Sequence, residues 1–485
     1  MKEWKNNKWL YGTLGAYIAF LIPMVVVCFY TFPAADDFVH GSAFRLALSG
    51  KESIAEYLGA VWSLGTRVYT ETQGQYTINY LIYLNPAILN YHLYPIACLM
   101  NLALFLGAHM VLAHTVSNYI LKADYKLTLW LWMAASFLTM QFAAPSELFY
   151  WYAGFVAYTA PFSLFLLAVA MFIRIYCNAK NRSLFIALSA PFGFLLAGTH
   201  YPLVLFVFSL TVVSLLVCIL FKKKQGWFFL PFMTLFCIGF ALSVMAPGNK
   251  LRAMGAYLGS TNLPKTIFAA LEGAAGIFLN SFTETPILLF FFLLLPLLLP
   301  RLKTMVFPFK WPGLVTGIGV LLVAATIVPI YYVLGETDYP LEPRYEGFVH
   351  MICMCIWLGL LLYWAGWLVK KDKAGELKKS MSNVAAFALA ICLALAFPLI
   401  AQSQNNALFK LSSVLAVEDL VYGELRDYHR QVKEKFSTLE SAQTDTVALY
   451  NDLVTTRTQK HIGLYPDTWQ LKALAGYFNK TIEIR

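Results

Sequence analysis

The sequence predicts an all-α polytopic membrane protein. Of its 485 residues, 59% are hydrophobic and only 13% are charged, and the mean hydropathy is +0.62, which is outside the range of soluble proteins. Apolar runs of about 20 residues, the length that a helix needs to cross a bilayer, recur through residues 1–402. Residues 403–485 are different, because their acidic and basic side chains are nearly balanced. We therefore predict a transmembrane domain followed by a small soluble module.

The apolar runs predict eleven transmembrane helices. They lie near 9–32, 93–113, 127–145, 156–176, 183–199, 202–221, 226–245, 286–303, 312–334, 347–369 and 383–402. The first run exceeds the apolar core of a signal peptide and has no cleavage site after it, so we interpret it as an uncleaved anchor. The eight cysteines show neither paired spacing nor accompanying histidines, so no disulfide or zinc site is predicted.

The charges of the connections predict the orientation. Lysines and arginines cluster on alternate connections, as the positive-inside rule requires. With those connections and the N-terminus in the cytoplasm, the outer segments are 33–92, 146–155, 199–202, 246–285, 335–346 and the tail from 403. The net charge of +10 is therefore a sign of membrane topology, and no nucleic-acid-binding module is visible.

The outer segments are long enough to have structure of their own. Residues 38–62, 72–88 and 264–284 have the amphipathic pattern of helices that lie at the membrane surface. In the external tail, residues 414–436 predict an amphipathic helix, and Thr446–Tyr450 and Thr481–Ile484 predict strands. Asp467 is the candidate cap of a last helix that ends at Phe478.

Asp36 and Asp37 follow the first span directly and are the candidate catalytic residues. Neighbouring carboxylates differ in proton affinity, so one of them is suited to act as a general base toward a hydroxyl group. Two other interpretations stay open: the pair binds Mg²⁺ or Mn²⁺, or it merely caps the next helix. The spans themselves contain almost no charge, which argues against a proton-coupled pump.

Cations on the outer loops predict a phosphorylated ligand. The guanidinium fork matches phosphate oxygens, although lipid head groups are the alternative partner of any single cation. The candidates are Arg67, His200, Lys250, Arg252 and Arg344. Glu147 with nearby Tyr150 and Trp151 suits a sugar, or the aromatics belong to an interfacial belt. Tyr201 and Asn249 complete the candidates for sugar or acceptor binding.

The combination of an acidic pair after the first span, a long outer loop and outer-loop cations resembles the GT-C superfamily of polyprenyl-phosphate-sugar-dependent glycosyltransferases. Three runs are similar to those of a bacterial branch associated with cell-surface glycan decoration: Ala35-Asp36-Asp37-Phe38, Glu147 to Trp151, and Ala246 to Arg252. The resemblance covers residues 1–402. The chain departs from the family pattern in two features. Its second acidic residue is Asp where several branches have Glu, and its soluble tail is smaller than that of many members.

The resemblance implies a GT-C-like fold and a role for each motif. Asp36 would be the base that activates an acceptor hydroxyl, Arg252 and Arg344 with Lys250 or His200 would hold the departing lipid phosphate, and Glu147 would contact sugar or acceptor. The expected activity is inverting transfer of a sugar from a polyprenyl-phosphate carrier to a cell-surface glycan at the outer face of the cell membrane. A transporter of lipid-linked glycans and a scaffold that acts through its tail are the alternatives.

Overall fold

The computed structural model describes residues 8–48, 53–88, 90–255, 263–307, 309–334, 341–371 and 411–484. The first helices are α1 (Lys8–Cys28), α2 (Asp36–Leu48), α3 (Ile54–Glu71), α4 (Tyr76–Leu81), α5 (Tyr94–Thr115), α6 (Tyr125–Met140), α7 (Ala160–Tyr176) and α8 (Arg182–Ala197). The next are α9 (Tyr201–Leu220), α10 (Leu230–Val244), α11 (Pro247–Gly255), α12 (Leu263–Thr283), α13 (Ile287–Thr304), α14 (Pro312–Leu334) and α15 (Pro343–Lys371). The chain continues with α16 (Ser412–Val421), α17 (Glu424–Ser441), β1 (Thr446–Leu449), α18 (Trp469–Phe478) and β2 (Thr481–Ile484).

Short helical turns join several of these elements. They are Ile82–Leu84, Pro86–Ile88, Tyr91–Leu93, Val116–Ile120, Pro145–Leu148, Tyr152–Gly154, Phe155–Thr159 and Lys224–Phe229. Two of them, Val116–Ile120 and Phe155–Thr159, are wide π-helical turns that continue a neighbouring helix. Such turns often lie near functional sites.

In the described part of the chain, nine helices are long and apolar enough to cross a membrane. They are α1, α5, α7, α9, α10, α12, α13, α14 and α15, some of them with their flanking turns. This agrees with the predicted all-α polytopic membrane protein. The predicted spans at α6 and α8 are helices of 16 residues each, and the span predicted at 383–402 lies outside the described residues, so the count of eleven stays a prediction.

Helix α12 differs from its expected character. The sequence predicts that residues 264–284 lie at the membrane surface. In the structure, Leu263–Thr283 is a helix that is long and apolar enough to cross a membrane. Its Phe278 stacks on Trp357 near the middle of α15, with ring centroids 4.1 Å apart. The helix thus packs lengthwise against other long helices, and the interfacial placement stays a prediction.

Three hydrogen bonds join connections that share a predicted side of the membrane. Among the segments predicted to lie outside, the Arg252 guanidinium donates to Gln73 Oε1 at 2.9 Å. Among those predicted inside, Arg301 donates to the Lys122 carbonyl at 3.1 Å, and Lys370 donates to the Lys303 carbonyl at 2.9 Å. Segments with the same predicted side therefore lie together, while the side that faces out stays a prediction.

The first long connection is built from α2, α3 and α4. A capping box starts α3, because the Glu56 amide donates to Ser53 Oγ and the Ser53 amide donates back to Glu56 Oε2. The helix predicted over 38–62 is in fact two helices, α2 and α3. The helix predicted over 72–88 is the short α4 followed by tight turns.

Residues 411–484, the described part of the predicted C-terminal module, contain three helices and two strands, with β1 and β2 paired in parallel. The helix predicted over 414–436 is divided in two at Gly423, whose φ of +84° favours glycine. Thr468, rather than Asp467, caps α18, because its hydroxyl accepts a hydrogen bond from the Leu471 amide.

The C-terminal module packs on the first long connection. The Tyr477 hydroxyl donates to the Ala87 carbonyl at 2.6 Å, and the Arg45 guanidinium lies 3.7 Å from the centroid of the Tyr477 ring. At the other side of the module, the Ser412 amide donates to the Gln141 carbonyl at 2.8 Å. The module is therefore joined to the helical bundle at several points.

We predict that Gly74→Ala destabilises the protein. An added Cβ would lie 1.9 Å from the Ser243 carbonyl oxygen, so the loop after α3 would have to move away from the C-terminal end of α10. Overpacking of this kind costs about 1–3 kcal/mol, which a thermal melt of the purified protein would detect. Gly59→Ala is the matched control, because Gly59 is exposed in α3 and has no heavy atom within 4 Å of an added Cβ. An equal melting temperature for the two variants would contradict the close approach.

Candidate functional site

A strained turn separates α1 from the acidic pair. Ala35 has a φ of +48°, a left-handed conformation that residues other than glycine rarely adopt. The Trp151 indole holds this turn by donating to the Ala34 carbonyl at 3.1 Å. Helix α2 begins directly afterwards, so both Asp36 and Asp37 occupy its first turn. A helix N-terminus is favourable for carboxylates.

Asp37 is enclosed by protein and only 3% exposed. Its Oδ2 accepts from the Tyr94 hydroxyl at 2.6 Å and from the Ala34 amide at 3.2 Å, and its Oδ1 accepts from the Ala153 amide at 3.1 Å. Burial raises the pKa of Asp37 to about 7, although the hydrogen bonds from Tyr94 and Ala34 oppose the rise. This carboxyl group therefore holds the fold together and is out of reach of a substrate.

Asp36 is only partly buried, and its carboxylate has no hydrogen-bond partner among the described residues. Burial raises the pKa of Asp36, while the positive charges of Arg344, Lys460 and Arg252 lower it. These three cations come from segments far apart in the sequence. Asp36 is thus an accessible carboxylate within a group of convergent charges.

Glu147 lies beside this group, in the short turn Pro145–Leu148. Its Oε1 forms an ion pair with Lys460 Nζ at 2.6 Å, and the same ammonium lies 4.7 Å from the centroid of the Trp151 ring. Glu147 Oε2 is buried and has no partner within the described ranges. One oxygen of the carboxylate is therefore occupied and the other is free.

Arg344 and His200 form the neighbouring part of the site. Arg344 Nη2 pairs with Glu342 Oε2 at 2.6 Å, whereas its Nε is buried and has no described partner. His200 is 8% exposed, and its ring is nearly parallel to that of Tyr345. Burial, helped by the charge of Arg344, lowers the pKa of His200 to about 3, so the imidazole is neutral at pH 7. Its Nδ1 also has no described partner.

Arg252 and Lys250 lie on α11, which Asn249 attaches to the loop after α3. Asn249 Oδ1 accepts from the Gly74 amide at 2.9 Å, and its Nδ2 donates to the Ser243 carbonyl at 2.8 Å and to the Tyr201 hydroxyl at 3.0 Å. Arg252 is exposed and hydrogen-bonded to the neutral amide of Gln73. Its positive charge is therefore not compensated by a bonded carboxylate.

Several predicted ligand-binding residues are instead used to hold the structure. Tyr150 is buried and its hydroxyl donates to the Met24 carbonyl at 3.1 Å. Trp151, Tyr201 and Asn249 have their polar atoms engaged in the contacts described above. Arg67 pairs with Glu71 on an exposed face of α3 and is not among the charges that act on Asp36. The structure does not bring these side chains to the charged cluster as free groups.

Lys460 is the site residue that sequence reasoning misses. It is one of many basic residues in a tail whose charges are balanced, and no motif surrounds it. Only the packing of the C-terminal module on the bundle brings it to Glu147. The tail therefore contributes a side chain to the candidate site.

The acidic pair does not fit a divalent metal in this arrangement. Both oxygens of Asp37 already accept hydrogen bonds from protein donors, which leaves Asp36 as the available carboxylate. No group of three or more metal-ligating side chains occurs in the part of the chain that the structure describes.

No protein-family model, curated protein or solved structure matches the chain.

The raised pKa of Asp37 predicts a pH-dependent stability. The folded state holds the proton up to about pH 7, whereas the unfolded state releases it near 3.8, so this group contributes less stability as the pH rises between these values. We expect Asp37→Asn, which cannot ionise, to gain stability relative to the wild type between about pH 5 and about pH 8, by roughly 3 kcal/mol at most. Thermal melts at both pH values measure the difference.

Asp427→Asn is the control for this experiment, because it is the same substitution at a position that lies exposed on α17. Its stability relative to the wild type should change little between the two pH values. If the difference in stability between Asp37→Asn and the wild type stays constant between the two pH values, or changes in favour of the wild type as the pH rises, Asp37 does not titrate in this range.

Proposed function

We propose that this chain is a membrane-embedded glycosyltransferase, which moves a sugar from a polyprenyl-phosphate carrier to a cell-surface glycan acceptor at the outer face of a bacterial cell membrane. One observation carries the proposal: Asp36, a carboxylate without a hydrogen-bond partner in the described ranges, lies under the influence of Arg252, Arg344 and Lys460. The proposal combines a candidate base and cations suited to a leaving phosphate in one site.

The proposed reaction is an inverting displacement. The acceptor oxygen attacks the anomeric carbon, the bond from that carbon to the phosphate oxygen breaks, and the acceptor proton passes to Asp36. The phosphate leaves with the bonding electron pair. A raised carboxyl pKa makes Asp36 a better proton acceptor, and Arg252 with Arg344 opposes the negative charge that develops on the phosphate.

The unpartnered polar atoms support a ligand that carries hydroxyl groups. Glu147 Oε2 only accepts and Arg344 Nε only donates, while the neutral ring of His200 offers Nδ1 in either role. A hydroxyl group donates and accepts at once, so a sugar satisfies such a mixed set.

An exposed apolar stripe supports a lipid-linked donor. Ile54, Leu58 and Trp62 follow one another at helical spacing on α3 and are 80%, 56% and 67% exposed. A helix with this face suits the membrane interface, as the sequence predicts for this segment. A carrier that stays in the bilayer would then reach the cluster from the side while its phosphate remains at the surface.

We predict that Asp36→Asn abolishes transfer and leaves donor binding largely intact. Loss of a general base lowers rates about 10²–10⁴-fold, and the amide keeps the size of the side chain. The measurement is formation of glycosidic product by purified protein that receives a polyprenyl-phosphate sugar and candidate acceptors. Donor binding is measured in parallel with the same lipid.

Arg430→Gln, in an exposed ion-pair network on α17, is the control and should keep full activity. Movement of the lipid-linked sugar across sealed vesicles without product would favour a transporter. Full transfer activity in Asp36→Asn would contradict the assigned base.

A further inference from the structure

The segment that carries Lys460 is fixed by a buried carboxylate. Asp419 on α16 is fully buried, and its Oδ2 accepts from the Thr458 amide at 2.9 Å and from the Thr458 hydroxyl at 2.6 Å. The Lys460 carbonyl accepts from the Tyr428 hydroxyl at 3.2 Å. The backbone from Thr458 to Lys460 is thus held by the interior of the C-terminal module.

The ammonium group of Lys460 has donor capacity beyond its ion pair. It has three N–H donors, one of which is engaged by Glu147 Oε1. The Trp151 ring covers another side, while 30% of the side chain remains exposed. Lys460 therefore keeps donor capacity for a ligand, and its charge acts on Asp36.

We propose that Lys460 is an anion-binding residue of the site, supplied by the C-terminal module, and that Glu147 competes with the phosphate of the ligand for it. The inference rests on the proposed function for the position of that phosphate. Glu147 attenuates the charge of Lys460 in the free protein, and an arriving phosphate shares or takes over the ammonium. The module therefore does part of the ligand recognition and is not an independent appendage.

An anion-binding role of Lys460 and a purely structural role of its ion pair predict different changes in phosphate binding for two substitutions. Removal of Lys460 should weaken phosphate binding, because a charge-assisted hydrogen bond is lost. Removal of the Glu147 charge should strengthen it, because a competitor and a source of repulsion are lost. If the pair served only to hold the module in place, both changes would weaken binding alike.

The experiment measures binding of farnesyl phosphate, of farnesol and of inorganic phosphate to the full-length protein in nanodiscs. We expect Lys460→Met to weaken farnesyl phosphate binding at least about tenfold, as loss of a charged hydrogen bond implies, and Glu147→Gln to tighten it severalfold. Farnesol, which lacks the phosphate, should bind all variants equally. The same dependence on Lys460 with inorganic phosphate would support the anion site and make the lipid chain incidental to it.

Two further variants guard against misfolding. Lys460→Arg keeps the charge and should retain most of the affinity. Lys435→Met breaks another ion pair of the same module, with Asp452 at 2.5 Å, and should leave binding unchanged.

Three outcomes would overturn the inference. They are weaker binding in both Lys460→Met and Glu147→Gln, unchanged affinity in Lys460→Met, and no difference between farnesyl phosphate and farnesol in the wild type. The expected binding pattern in a protein that forms no glycosidic product would contradict the transferase and leave the anion site standing. Glycosyl transfer that does not depend on Lys460 would contradict the anion site and leave the transferase standing.

Discussion

The structure around the site depends on one buried carboxylate, Asp37. Its hydrogen bonds join the segment between α1 and α2, through the Ala34 amide, to α5, through the Tyr94 hydroxyl, and to the turn before α7, through the Ala153 amide. Tyr94 also accepts from the Tyr152 amide at 2.8 Å. Removal of any member would leave a buried polar group without a partner, which is costly. This network fixes the start of α2 and hence the position of Asp36.

The adjacent residues Asp36 and Asp37 thus have different roles, which their surroundings determine. Asp37 is saturated with donors and enclosed, whereas Asp36 is partly exposed and surrounded by cations that are not bonded to it. The strained backbone at Ala35 lies immediately before them. Strain of this kind persists only where the surrounding structure imposes it, here through Trp151 and the Asp37 network.

The sequence predicts those features that depend on composition and local pattern. Hydropathy places most of the long helices, and the short strands at 446 and 481 are found nearly to the residue. Features that depend on tertiary packing are missed. Lys460 has no local signal, and nothing in the pattern of 264–284 reveals that Phe278 stacks on Trp357. Tyr150 and Asn249 are polar residues whose partners exist only in the folded chain, so their structural roles could not be read in advance.

The central claim is that one phosphate site lies beside Asp36, and a cryo-electron-microscopy structure of the full-length protein with undecaprenyl phosphate tests it most directly. The account predicts density for the phosphate at about 3 Å from the cationic nitrogens of Arg252, Arg344 or Lys460. A phosphate bound instead at the opposite end of the bundle, where Lys370 contacts the Lys303 carbonyl, would contradict it.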